Sequence, residues 1–206
     1  MTDREALLEA AAKDIDLSHL EEAKTAIADT CQEYIRWVQM FSSRLESLPD
    51  EKLHKFARAF SLTMLGHLPT RPGTCPFCIQ YGGDRSCTGC GYAVTHGRCD
   101  ADDSKFSLFI ESFLDLGKLI LQDTTAPDDA DSDPNKKKRL LHLLLGSSGT
   151  LASQMQESLP ALSTLQFMQE KQIYISRMVG FIPLSLLSDD VTRQFRVLQD
   201  RLKGYW

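Results

Sequence analysis

Five of the six cysteines of this chain, and one of its five histidines, fall between residues 75 and 99. Nothing else in the sequence restricts the fold as much. The order is Cys75-Pro76-Phe77-Cys78, eight intervening residues, Cys87-Thr88-Gly89-Cys90-Gly91-Tyr92, and then His96-Gly97-Arg98-Cys99. The turn inside a Cys-x2-Cys pair aims both sulfurs at one ion about 2.3 Å away, and nearby backbone N–H groups donate to the thiolates. Two such pairs followed by a His-x2-Cys pair form a metal-binding pattern, and zinc is the metal it fits best. Pro76 stiffens the first turn, and Gly91 is expected in a left-handed position after Cys90.

Six groups compete for four places: Cys75, Cys78, Cys87, Cys90, His96 and Cys99. The simplest set is Cys75, Cys78, Cys87 and Cys90. Other sets admit His96, Cys99 or both. A four-thiolate zinc has a formal charge of −2, which Arg71, Arg85 and Arg98 are placed to offset. An iron–sulfur cluster is the alternative cofactor, although the dense ferredoxin-type run of cysteines is missing. Disulfides are disfavoured because the opening Met1-Thr2-Asp3-Arg4-Glu5 has neither the basic start nor the apolar run of an export signal, which gives a cytoplasmic reading. The segment resembles zinc-knuckle and zinc-ribbon modules, over these residues only.

The rest of the chain reads as helix. From Asp16 to Leu48, Ile27, Cys31, Tyr34, Val38, Phe41, Leu45 and Leu48 recur at steps of four and three, the stripe of a helix lying lengthwise on another helix. Ser18 and Glu21 have capping-box spacing at its start, and Pro49 ends it. Shorter helices are expected at 3–13, 50–68, 104–121, 136–145, 150–158, 160–179 and 190–203. Asp103 or Ser104 caps the fourth of the eight in chain order, and Ser147-Ser148-Gly149 is read as a turn and cap. Residues 122–135 are acidic and lack large apolar groups, so they read as a flexible linker. The expected fold is mostly α: a multi-helix bundle with a small zinc-knuckle-like or zinc-ribbon-like metal loop at 70–102. Residues 1–121 form the helical domain carrying that loop, and the helices of 136–206 pack on the same bundle.

The net charge is −5. Residues 71–103 contain four acids against three bases, so the cysteine segment lacks the basic field that phosphates require, and nucleic acid is not the expected partner. No segment reaches the roughly 18 apolar residues of a membrane-spanning helix. No acid–base partner accompanies the cysteines. The one His-x-Glu, His19 to Glu21, lies far from them, and no nucleophile elbow is present. The function expected is therefore a non-catalytic structural-zinc protein, an adaptor or regulator with a protein partner. An iron–sulfur electron carrier or redox sensor is the alternative. Cys31 on the apolar stripe reads as a small buried hydrophobe.

Overall fold

The computed structural model describes residues 3–83, 87–124 and 133–204, and among them are nine α-helices and no strand. The helices are α1 (Asp3–Lys13), α2 (Leu17–Leu45), α3 (Leu53–Gly66), α4 (Pro76–Tyr81), α5 (Gly91–His96), α6 (Lys105–Gln122), α7 (Pro134–Ser158), α8 (Thr164–Val179) and α9 (Asp189–Gly204). The mostly α expectation holds. Among the described residues, no helix is long and apolar enough to cross a membrane.

The stripe on α2 organises the bundle. Ile27, Cys31, Tyr34, Val38 and Leu45 are buried, and Phe41 and Leu48 pack half-buried beside them. The main partner of α2 is α7. Lys24 Nζ reaches Pro160 O at 3.3 Å, Gln156 Nε2 donates to Gln32 Oε1 at 3.4 Å, and Tyr34 Oη donates to Ser148 Oγ at 2.8 Å. Numbers rise along one chain as they fall along the other, so the two helices run antiparallel. A second antiparallel pair joins α6 to α9, through Gln194 to Ser112 O (3.3 Å) and Ser188 N to Asp123 Oδ2 (3.0 Å).

Three local expectations are corrected. The helices expected at 136–145 and 150–158 are one helix, α7, running through Gly146-Ser147-Ser148-Gly149. Small residues here let α7 approach α2, because Ser148 is fully buried and Gly149 lies against Val38. The Ser18–Glu21 box does not form. The N-cap of α2 is Asp16, whose N–H is taken by Gln80 Oε1 at 2.7 Å, while Glu21 pairs with Lys24 at 2.9 Å. The expected linker is shorter than 122–135: Gln122 is the last residue of α6, Asp123 is buried, and α7 starts at Pro134. Residues 125–132 lie outside the described residues.

The helices flanking the cysteine segment, α3 and α6, are joined directly. Arg58 on α3 donates from Nε to Ile120 O at 2.9 Å and from Nη2 to Leu121 O, which satisfies carbonyls that the end of α6 leaves open. His54 Nε2 lies 3.2 Å from the buried Asp123 carboxylate. The expected cap of α6 is present, since Ser104 Oγ accepts from Ser107 N.

Candidate functional site

The cysteine segment leaves α3 through buried Thr74, whose hydroxyl is held at Pro69 O (2.9 Å) and Arg71 O (2.7 Å). Cys75 is the extended N-cap of α4, and Pro76 occupies its first helical position, where the lost N–H costs nothing. One turn later Cys78 comes back beside Cys75. Both cysteines are free, and the two sulfurs act on each other electrostatically. Cys78, a free cysteine like the others, is also within electrostatic reach of Cys99. It thus couples to cysteines from both ends of the segment.

The second pair is built differently. Cys87 has φ 50° and Gly89 φ 79°, both left-handed, and Cys90 N returns to Cys87 O at 3.1 Å to close a tight turn. Cys90 is then the N-cap residue of α5, in an extended conformation. It stands within electrostatic reach of Cys75 and Cys87. Gly91 is not left-handed, as the sequence led one to expect; it opens α5. It is required there because a Cβ would stand 1.9 Å from the Ala11 Cβ, where α5 packs on α1. His96 stacks flat on Tyr92, with ring centroids 4.2 Å apart and planes 6° apart.

The segment docks firmly. Gln80 accepts from Asp16 N (2.7 Å), donates to Asp14 O (3.0 Å) and meets His19 Nδ1 (3.2 Å), bridging the turn between α1 and α2. Phe77 and Tyr92 are buried against each other, with centroids 6.1 Å apart. Of the apolar groups in the segment these two face inward, Ile79 and Tyr81 are half-buried, and Val94 is 75% exposed.

A residue that motif reading passed over faces the sulfurs. Lys171 of α8 is only 5% exposed, and its Nζ donates to Thr74 O at 2.8 Å and Thr74 Oγ1 at 3.1 Å. Burial lowers the pKa of this ammonium, while Cys75, Cys78 and Cys99 act on it in the opposite direction. The Cys75 thiol is pushed well above its ordinary range, by its neighbour Cys78 and by burial, with Lys171 opposing. For the Cys78 thiol, Cys75 acts downward, but Cys99 and burial together push it up to about 11. Burial raises Cys90 as well. The sequence did contain a signal for Lys171. It lies four residues from Phe167 and four from Ile175, both buried, on the apolar stripe of α8.

The expected counter-charges lie elsewhere. Arg71 is exposed, and Arg98 forms an exposed pair with Asp100 at 2.6 Å, which raises the guanidinium pKa and lowers that of the carboxyl. Arg85 lies outside the described residues. His67, eight residues before Cys75, is engaged by Thr63 O at 2.7 Å and Glu33 at 3.7 Å. Among the described residues, no group of three or more His, Cys, Asp or Glu side chains stands at metal-holding geometry. No family model matches the chain, and neither does any curated protein or solved structure.

Proposed function

We propose that this chain is a non-catalytic metalloprotein whose cysteine segment holds one zinc ion, and that the stiffened knob so formed serves an adaptor or regulatory role toward a protein partner. What supports the reading is the spacing of two Cys-x2-Cys pairs and a His-x2-Cys pair within residues 75–99, on a segment whose Cys75, Cys78 and Cys99 all act electrostatically on the buried ammonium of Lys171. A rotamer hop carries a cysteine sulfur by about 3 Å, enough to turn free neighbouring thiols into ligands. A structural role for the metal follows from the supply of thiolates, which suffices to close a tetrahedral shell. Val94, exposed on α5, is an apolar group that the knob offers to a partner.

Elemental analysis of the purified chain tests the metal, combined with an optical spectrum taken after anaerobic purification. The expected result is close to one zinc per chain and no visible absorption. Iron and sulfide in matching amounts, with a brown colour, would replace zinc with the iron–sulfur alternative. Absence of any tightly held metal would remove the reading altogether.

A further inference from the structure

Two apolar stripes run along α6. The first, Phe109, Ser112, Leu116 and Ile120, is buried where α6 packs on α3 and α9. The second is Ile110, Leu114, Gly117 and Leu121, at steps of four, three and four, which sets it about 100° round the helix from the first. Leu114 and Leu121 are 53% and 62% exposed, and Ile110 and Gly117 are half-buried. Single apolar groups on a surface are ordinary, but a repeat of this spacing is the seam of a helix pair. Gly117 marks the middle of the seam. Among the described residues a Cβ there would meet nothing within 4 Å, so packing inside the chain does not require glycine, as it does at Gly91. Glycine inside a helix is destabilising relative to alanine. On the seam it lets a second helix approach closely, since the side chains at a crossing set the distance between axes.

Charge selects the occupant. Glu111 and Lys118 are both exposed, and each follows a seam residue by one position, so they share one edge of the seam with opposite signs. We propose that α6 is the contact helix of a symmetric dimer, in which a second copy of this chain lays its own α6 antiparallel along Ile110, Leu114, Gly117 and Leu121. A two-fold axis midway between Leu114 and Gly117 sets the leucine of each copy against the glycine of the other, and Ile110 against Leu121. It also brings Glu111 of each copy beside Lys118 of the other, so the attraction is made twice. A parallel copy would instead set Glu111 against Glu111 and Lys118 against Lys118. Within the chain, Lys118 has Asp115 at 3.0 Å, an exposed pair weak enough to share. The 18 residues of α6 span about 27 Å. A contact of one helix pair falls below about 1,200 Å2 in total, the small end of specific interfaces, so the dimer forms reversibly with concentration. It requires no metal on the cysteine segment.

Analytical ultracentrifugation of the full-length chain tests this, with reductant present so that cysteines do not link copies. Wild type should show a reversible monomer–dimer equilibrium between about 1 and 200 µM. Leu114→Glu should keep the wild-type circular dichroism and remain monomeric. Glu111→Lys and Lys118→Glu should each weaken the dimer by about 5- to 30-fold, because each turns two attractions into two repulsions. Mixed in equal amounts, these two charge variants should associate as tightly as wild type. Should Leu114→Glu lose helix, the charge variants decide, since they alter exposed side chains only. A wild type that stays monomeric up to about 200 µM overturns the proposal and leaves the seam to a different protein. A dimer that a folded Leu114→Glu does not disturb overturns it too, by placing the contact elsewhere. Wild-type affinity in both charge variants would overturn the antiparallel register.

Discussion

Tyr34 Oη donates to Ser148 Oγ across 2.8 Å, at the centre of the contact between α2 and α7. Both residues are fully buried, and burial pushes the phenol pKa far above its ordinary range. Ser148 in turn donates to Leu145 O at 3.0 Å, so each of the two hydroxyls donates once. The two truncations are therefore unequal. Ser148→Ala strands a buried donor and should cost about 2–3 kcal/mol, whereas Tyr34→Phe leaves only an acceptor lone pair unused and should cost about 1–1.5 kcal/mol. The double variant should cost less than the sum. Urea unfolding of the three variants checks this, and an additive pair would show that the two hydroxyls are not coupled.

Two glycines of α7 should respond in opposite ways to the same substitution. Gly146 has open space where a Cβ would go, so Gly146→Ala should stabilise by about 0.5–1 kcal/mol through helix propensity. A Cβ on Gly149 meets Val38 Cγ1 at 3.1 Å, so the same change there forces α7 off α2 or twists Val38. The strain should cancel the propensity gain and leave Gly149→Ala no more stable than wild type. Thermal unfolding distinguishes the two, and equal stabilisation by both would mean that the α2–α7 contact is looser than described.

These two helices show what was legible in the sequence. The α2 stripe could be read because burial against a long partner repeats every three or four residues, and each buried position declares itself independently of the others. The break at Ser147-Ser148-Gly149 was misread because serine and glycine are turn residues when judged locally. What keeps α7 continuous is the neighbour at Val38 and Tyr34, a tertiary fact. The cysteine segment was visible as a cluster for the same local reason. Its surroundings were hidden, since the approach of Lys171 to Thr74, next to Cys75, depends on where α8 passes. Gly91 was marked as special for the wrong cause: packing on Ala11 requires it, and backbone handedness does not.

Alkaline pH should destabilise the chain through Cys31. Its thiol lies 1% exposed on the α2 stripe, 3.7 Å from Tyr174 Oη, and burial pushes its pKa from the usual 9.0 to about 11, partly offset by that hydroxyl. Below pH 9 the thiol is protonated in both the folded and the unfolded chain, and its contribution is complete. Between pH 9 and about 11 the unfolded chain gives up the proton while the folded chain keeps it, so stability falls. One such group costs about 1.4 kcal/mol per pH unit across that window. Cys31→Ala should have lower stability at neutral pH and a shallower decline from pH 9 to 11. Parallel declines in wild type and variant would show that Cys31 does not carry the effect.

Metal removal should loosen one segment and leave the bundle standing. Binding energy at a metal site becomes folding energy only for what the ligands organise. Because α3 and α6 flank the loop in the chain, they are the elements to which the damage would spread. The structure narrows it: Arg58 holds the Ile120 and Leu121 carbonyls, and His54 lies beside Asp123, so the far end of α6 is fixed to α3 without the loop. The near end is less independent, because Ser104, the cap of α6, donates to Cys99 O at 3.4 Å. Chelation, or Cys78→Ser, should therefore raise hydrogen exchange across residues 70–102 and the first turn of α6. Residues near Ile120 and the α2–α7 pair should remain protected. Circular dichroism should retain most of its helical signal, while the Gln80 bonds to Asp14 and Asp16 hold part of the segment against α1 and α2. Collapse of the helical signal would mean that the metal nucleates the whole fold. Unchanged exchange across 70–102 would mean that these sulfurs hold no metal.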